Sequence, residues 1–230
     1  MTLMLSSIRP RDILLTADGR STTRVNGVVT GVDDRSQKLF PVPDHPLVIA
    51  HMGENRLGEL SLGEFLGRFM RQLNAGDLTV LQVADRLRDY AHPAIRTRLT
   101  SLGLPANGCN LWVAGFGFEE KEPSAVELFW QLKDGALTIV EQQFRPISIT
   151  SGGDGKSQIR PADLREVADR PIEQVRTYHR SLMNEALNAK VEHNSVGGHV
   201  HEVHITREHW RWMIPPKPPS PASTRPAPAG

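Results

Sequence analysis

The chain of 230 residues contains a single cysteine, Cys109. One thiol excludes an internal disulfide framework and a four-cysteine zinc site, and it reads as a small buried hydrophobe. An excess of charge is lacking too: 27 Lys and Arg against 26 Asp and Glu leave a net charge of +1. No electrostatic case for a nucleic-acid partner or a polybasic membrane anchor follows. A membrane span is also missing. The stretch 99–118 carries no charge, but it holds Pro105, Asn107, Asn110 and four glycines. The N-terminal apolar run is short and has no basic residues ahead of it, so it does not read as a secretory signal, and a cytoplasmic protein is expected. What is present is ordinary: 39% hydrophobic and 23% charged residues, as in a folded soluble body. Proline is uneven, with seven of the 17 in residues 215–230. We therefore expect one domain over 1–214 (Met1 removed) and a disordered Pro-rich tail over 215–230.

The first fifty residues are β-like. Residues 2–8 and 13–17 flank the turn cluster Arg9-Pro10-Arg11-Asp12 and read as a hairpin, stopped by Asp18-Gly19. Residues 38–42 and 47–50 read as two further strands. The period then changes. Ser61-Leu62-Gly63-Glu64 is a capping-box signature, and behind it Phe65, Leu66, Phe69, Met70 and Leu73 recur at helical spacing. Val80, Val83, Ala84, Leu87 and Tyr90 begin a second helix, which Pro93 limits or kinks. Strands return at 111–118, 125–132, 137–140 and 146–150, with a hairpin turn at Lys133-Asp134-Gly135. A third helix spans about 171–189, and strands at 197–206 and 209–213 close the body. Two antiparallel sheets with outer helices follow from this order.

The N-terminus carries the chemistry. Met1 precedes Thr2, and methionine is trimmed when so small a residue follows, so the mature chain is expected to begin at Thr2. A terminal threonine holds a nucleophilic hydroxyl and a base on one residue. Its α-amine has a reference pKa of about 7.7–8.0, near the working pH. Asp18 lies sixteen residues on, at the end of a strand, and Gln37-Lys38-Leu39-Phe40 opens another. A lysine near the amine lowers the amine's pKa by like-charge repulsion, and an aspartate beside that lysine keeps it charged and oriented. Taken singly, Met-Thr is a common start, Asp18 a turn residue and Lys38 a surface lysine.

With Thr2, the segment Ile13-Leu14-Leu15-Thr16-Ala17-Asp18-Gly19-Arg20, the segment Gln37-Lys38-Leu39-Phe40 and the segment 192–200, the sequence resembles the proteasome β-subunit family of N-terminal-threonine hydrolases, in its bacterial form. The resemblance covers about residues 2–210. It implies a four-layer αββα sandwich (the Ntn-hydrolase form of an α+β fold, two antiparallel sheets between helical layers) and a threonine-type endopeptidase that needs no metal or organic cofactor. Thr2 would be the nucleophile, with its freed amine as base and Asp18 and Lys38 in support. Ser151 and Ser195 resemble the family's serines near the amine, and Glu192 stands where the family has aspartate. The backbone N–H of His51, in place of the family's glycine, falls at the oxyanion position. Stacked homo-oligomeric rings of six or seven subunits and a peptide or unfolded-protein substrate are the implied assembly; whether an ATP-dependent unfoldase feeds the ring is not readable from the sequence. Two other readings stand beside it: an amidohydrolase of the same fold acting on a small amide, and a catalytically silent ring or scaffold subunit.

Two further signals are weak. Residues 151–157 end like a phosphate-binding loop, but Thr150 replaces its first glycine and Pro161 falls where the helix should run. His199, His201 and His204 put two imidazoles on one face of a strand without an evident third metal ligand, so a solvated or interface strand is expected there.

Overall fold

The computed structural model describes residues 3–25, 28–102, 108–133, 136–146, 148–152, 169–189 and 196–218; residues 23–25, 28–29, 102 and 148–152 are described by their backbone alone. Its elements in chain order are β1 (Met4–Ile8), β2 (Asp12–Ala17), β3 (Ser21–Val25), β4 (Val28–Asp33), β5 (Leu39–Pro41), β6 (Leu47–Met52), β7 (Arg56–Leu57), β8 (Leu60–Ser61), α1 (Leu62–Gln72), α2 (Val80–Leu102), β9 (Cys109–Gly115), β10 (Ser124–Lys133), β11 (Ala136–Phe144), β12 (Ser148–Gly152), α3 (Ile172–Leu187), β13 (His201–Thr206) and β14 (Trp210–Ile214). The fold is mixed α/β. Two five-stranded sheets have the orders β12-β1-β2-β13-β14 and β11-β10-β9-β6-β5, and all their pairings are antiparallel.

Strands β1, β2 and β6 are buried at every position. A strand covered on both faces has no polar side, which is why Leu47-Val48-Ile49-Ala50 does not alternate. Alternate residues nevertheless go to different cores. Met4, Ile8, Ile13, Leu15, Val203 and Ile205 of the first sheet share one cluster with Leu39, Val48, Ala50, Trp112 and Ala114 of the second. Leu3 and Leu5 pack with Leu182, Met183 and Ala186 of α3, and Leu14 packs with Val175. Ile49, Leu111, Val113, Val126 and Leu128 pack with the apolar faces of α1 and α2.

Helix α1 begins as its capping box requires: Glu64 N–H donates to Ser61 Oγ at 3.2 Å, and Ser61 N–H donates to Glu64 Oε2 at 2.9 Å. Helix α2 runs on through Pro93 to Leu102. An interior proline costs about 3 kcal/mol. Burial of Val83, Leu87, Ala91, Ile95 and Leu99 on one face outweighs that cost. The hairpin β3–β4 was not expected from the sequence; its signal, Asn26-Gly27 between Thr- and Val-rich runs, is the usual mark of a two-residue hairpin loop. Among the described residues, no helix is long and apolar enough to cross a membrane. Ser61→Ala lowers stability by about 1 kcal/mol, read as a shift of the urea midpoint with an unchanged slope.

Candidate active site

The site forms where β2 ends. Asp18 continues the β1–β2 ladder by one residue: its N–H donates to Leu3 O at 3.1 Å, and Leu3 N–H returns to Asp18 Oδ1 at 2.9 Å. Arg20 N–H donates to Asp18 Oδ2 at 3.2 Å, and Gly197 N–H to the same oxygen at 3.0 Å. Lys38 Nζ lies 2.7 Å from Asp18 Oδ1 and 2.7 Å from Arg20 O. The carboxylate is fully buried and the lysine is 2% exposed. A charge so far from water persists only when its oxygens are filled by donors, and here four donors from four chain segments fill them. Burial pushes the Lys38 ammonium below the ordinary lysine range, and Asp18 pulls it back.

Two glycines let the segments meet. A Cβ on Gly19 would stand 2.5 Å from His199 O, and Gly198 has φ +74° and lies against Asp34. Gly19 N–H donates to Gly197 O at 3.1 Å, Ser36 N–H to Gly19 O at 2.9 Å, and His199 N–H to Asp34 O at 3.0 Å. The loop that delivers Lys38 is thereby stitched to the Asp18 turn. The hairpin β3–β4 occupies the sequence between those two residues.

Two histidines flank Lys38. His51 ring Nε2 is 3.2 Å from Gln37 O, and Lys38 N–H donates to His201 Nε2 at 3.1 Å. Both rings are buried, and burial lowers each pKa to about 3, with the Lys38 charge acting in the same direction. The sequence points to neither histidine's side chain as part of the site. For His201 the sequence expectation is a solvated or interface strand, in preference to a metal edge shared with His199. That expectation is corrected, because β13 lies inside its sheet between β2 and β14 and His201 is spent on the Lys38 amide. His204 pairs with Asp12 at 3.1 Å, and His199 Nε2 bonds Pro215 O at 2.8 Å. No group of three His, Cys, Asp or Glu side chains with metal-binding geometry occurs among the described residues.

Of the remaining candidates, Thr2, Glu192 and Ser195 lie outside the described residues, as does most of the loop-like segment 151–157. Leu3, the covalent neighbour of Thr2, is fixed on Asp18 as above. Ser151 is paired in register with Leu5 near the start of β1, described by its backbone alone. The backbone N–H of His51, expected to face an oxyanion, donates to Lys38 O at 3.0 Å. Beyond it the chain turns at Gly53, with φ +94°. A polar cleft of about 40 Å³ opens over Lys38, bordered by Arg20, Ser21, Thr22, His51 and Asn55. A larger hollow of about 190 Å³ lies at the other end of β6, around Pro46, Leu47 and Phe116, away from these groups. Cys109 is buried, and burial pushes its thiol up to about 12, so it is no nucleophile.

No family model matches the chain, and no curated protein does. Solved structures do. Anbu (ancestral beta-subunit) from Yersinia bercovieri superposes with a TM-score of 0.63 at 15% identity, over 92% of this chain and 87% of that one. An Anbu (Gly-1) mutant from Hyphomicrobium sp. strain MC1 gives 0.56 at 14% identity, over 93% and 85%. At such identities the likeness establishes the fold alone, which is proteasome-like. It also corrects the resemblance drawn from the sequence: these neighbours are Anbu proteins, a family distinct from the proteasome β-subunits.

Three buried imidazoles, His51, His179 and His201, have pKa values lowered to about 3 by burial. The unfolded chain binds these protons near pH 6.5. The unfolded state therefore holds more protons between about pH 6.5 and 3, and stability falls as pH falls through that window. A urea-midpoint series from pH 7.5 to 4.5 records a steep decline, shallower in His179→Gln, which removes one of the three groups.

Proposed function

We propose that the chain is an N-terminal-nucleophile hydrolase of the threonine type that cleaves peptide bonds, with its working body within residues 1–214. The observation that carries this reading is the buried Lys38–Asp18 pair anchored on Leu3 N–H, the amide that joins Leu3 to Thr2. A cation held at that point disfavours a second charge on a freed Thr2 amine, so the amine is a base near neutral pH. Thr2 Oγ attacks the scissile carbonyl while its proton passes to the amine, directly or through water. The C–N bond breaks, the leaving amine takes that proton, and an ester on Thr2 remains. Water then attacks the ester, is deprotonated by the same amine, and frees the acid and Thr2. No metal or organic cofactor enters these steps.

Ser151, Ser195 and Glu192 take supporting places near the amine. The oxyanion donor comes from the turn that ends β6. A role for His51 N–H there requires it to exchange its bond to Lys38 O when substrate binds. The shared cluster between the two sheets, together with the helix-facing clusters outside each, supports a four-layer αββα arrangement. The likeness to Anbu folds supports assembly into rings. Stacked rings of six or seven copies, a peptide or unfolded-protein substrate, an ATP-dependent unfoldase partner and a cytoplasmic setting belong to the proposal without support from that likeness.

Intact mass before and after treatment with a threonine-directed epoxyketone tests the chemistry. Met1 is absent and one inhibitor mass adds, with none on Thr2→Ala. A retained Met1, which locks the amine in a peptide bond, or a trimmed chain without adduct, sinks the peptidase reading in favour of a silent subunit. Lys38→Ala abolishes peptide turnover. It also strands a buried carboxylate, a loss of up to about 3–5 kcal/mol, so turnover is read well below the variant's melting temperature. Full activity in the folded variant would refute the role given to Lys38.

A further inference from the structure

The amide unit between Gln37 and Lys38 is held from both ends. Its carbonyl oxygen, Gln37 O, lies 3.2 Å from His51 Nε2, and its N–H, that of Lys38, points at His201 Nε2 at 3.1 Å. A carbonyl only accepts, so His51 carries its proton on Nε2. An amide N–H only donates, so His201 Nε2 is bare, and its Nδ1 carries the proton facing His199 O at 3.5 Å. Burial keeps both rings neutral, so they are of opposite tautomer. They come from different sheets, His51 from β6 and His201 from β13. His51 adds a third bond, from its own N–H to Lys38 O.

We propose that His51 and His201 are positioning residues, a two-sided clamp on the Gln37–Lys38 amide that aims the lysine side chain at Asp18. This rests on the hydrolase reading above, in which the place of the Lys38 ammonium sets the basicity of the Thr2 amine. A lysine has four rotatable side-chain bonds, so its head stays in place only if its backbone is fixed. Strand β5 is three residues long and begins after Lys38, so the sheet ladder alone fixes that backbone poorly. Each histidine supplies one hydrogen bond to a peptide group, and the His201 bond also ties the first sheet to the segment that enters β5 of the second.

The test compares leucine and glutamine at each position. Glutamine restores the lost bond, as a donor at 51 and an acceptor at 201; leucine does not. On a fluorogenic peptide, His51→Leu and His201→Leu lose about tenfold or more in kcat with KM within about twofold, and the glutamine variants recover most of it. The second readout is independent of activity: acetic anhydride labelling of Lys38, followed by peptide mass mapping. Lys38 is protected in the wild type and in the glutamine variants, and is labelled severalfold faster in the leucine variants while they remain folded by circular dichroism. Equal protection in all five proteins, or glutamine variants as impaired as leucine, overturns the clamp. If the wild type turns over no peptide but the labelling follows this pattern, the clamp stands and the hydrolase reading falls. Where a leucine variant does not fold, the other position decides: faster labelling of its leucine variant with protection kept in its glutamine variant supports the clamp, and equal protection in both overturns it.

Discussion

Removing a carboxylate and an ammonium from water costs several kcal/mol for each ion, and the fold around Asp18 is organised by the need to offset that cost. The oxygens of Asp18 are filled by Lys38 and by the amides of Leu3, Arg20 and Gly197. Those donors belong to the start of β1, the turn after β2, the loop before β5 and the loop before β13. None of these segments is regular structure at the point of contact. Each is a loop or strand end that packing alone would leave loose. The buried charge converts them into one rigid corner, because moving any of them away strands a charge in a low-dielectric interior.

The same corner explains why neutral imidazoles suit the positions beside Lys38. A protonated histidine there would repel the ammonium and would lose either its acceptor role or its burial. His51 and His201 are apolar enough to sit between sheets and polar enough to hold a peptide unit. His51 also lies 5.9 Å from the Phe40 ring, centroid to centroid, so its other face is packed as a hydrophobe. Its Nδ1 is buried and has no partner among the described residues. An acceptor left in that state is tolerated where the ring's other bond is structurally required.

Periodicity made much of this legible. Short apolar runs bounded by turn residues located β1, β2 and β6, the 3.6-residue pattern located the three helices, and Ser61 to Glu64 marked the start of α1 to the residue. Asp18 and Lys38 could be paired from the chemistry of a terminal threonine, because an isolated nucleophile-base needs a cation and a counter-charge. What could not be read was partnership at a distance. Gly197 touches Asp18 across 179 positions and His201 meets Lys38 across 163, and neither contact leaves a local pattern. Pro93 misled in the other direction: its cost is local and visible, whereas the apolar contacts that outweigh it come from the β9 and β10 surface that α2 covers.

Register is the remaining constraint, and it is set on the far side of the first sheet. Thr16 and Glu202 are opposite one another on β2 and β13. Thr16 Oγ1 donates to Glu202 Oε2 at 3.3 Å and bonds His179 Nδ1 of α3 at 2.9 Å, while His179 Nε2 reaches Ser7 Oγ on β1 at 2.7 Å. Arg176, one turn earlier on α3, closes on Glu202 at 2.5 Å. Apolar packing between a helix and a sheet tolerates sliding; a chain of directional bonds to three strands does not. A slip of β13 by one residue against β2 would turn Glu202 into the apolar space between the sheets and Val203 out towards α3. It would also carry His201 and Gly197 away from Lys38 and Asp18. The polar network under α3, away from the cleft over Lys38, therefore helps decide whether the buried charges just past the end of β2 can meet.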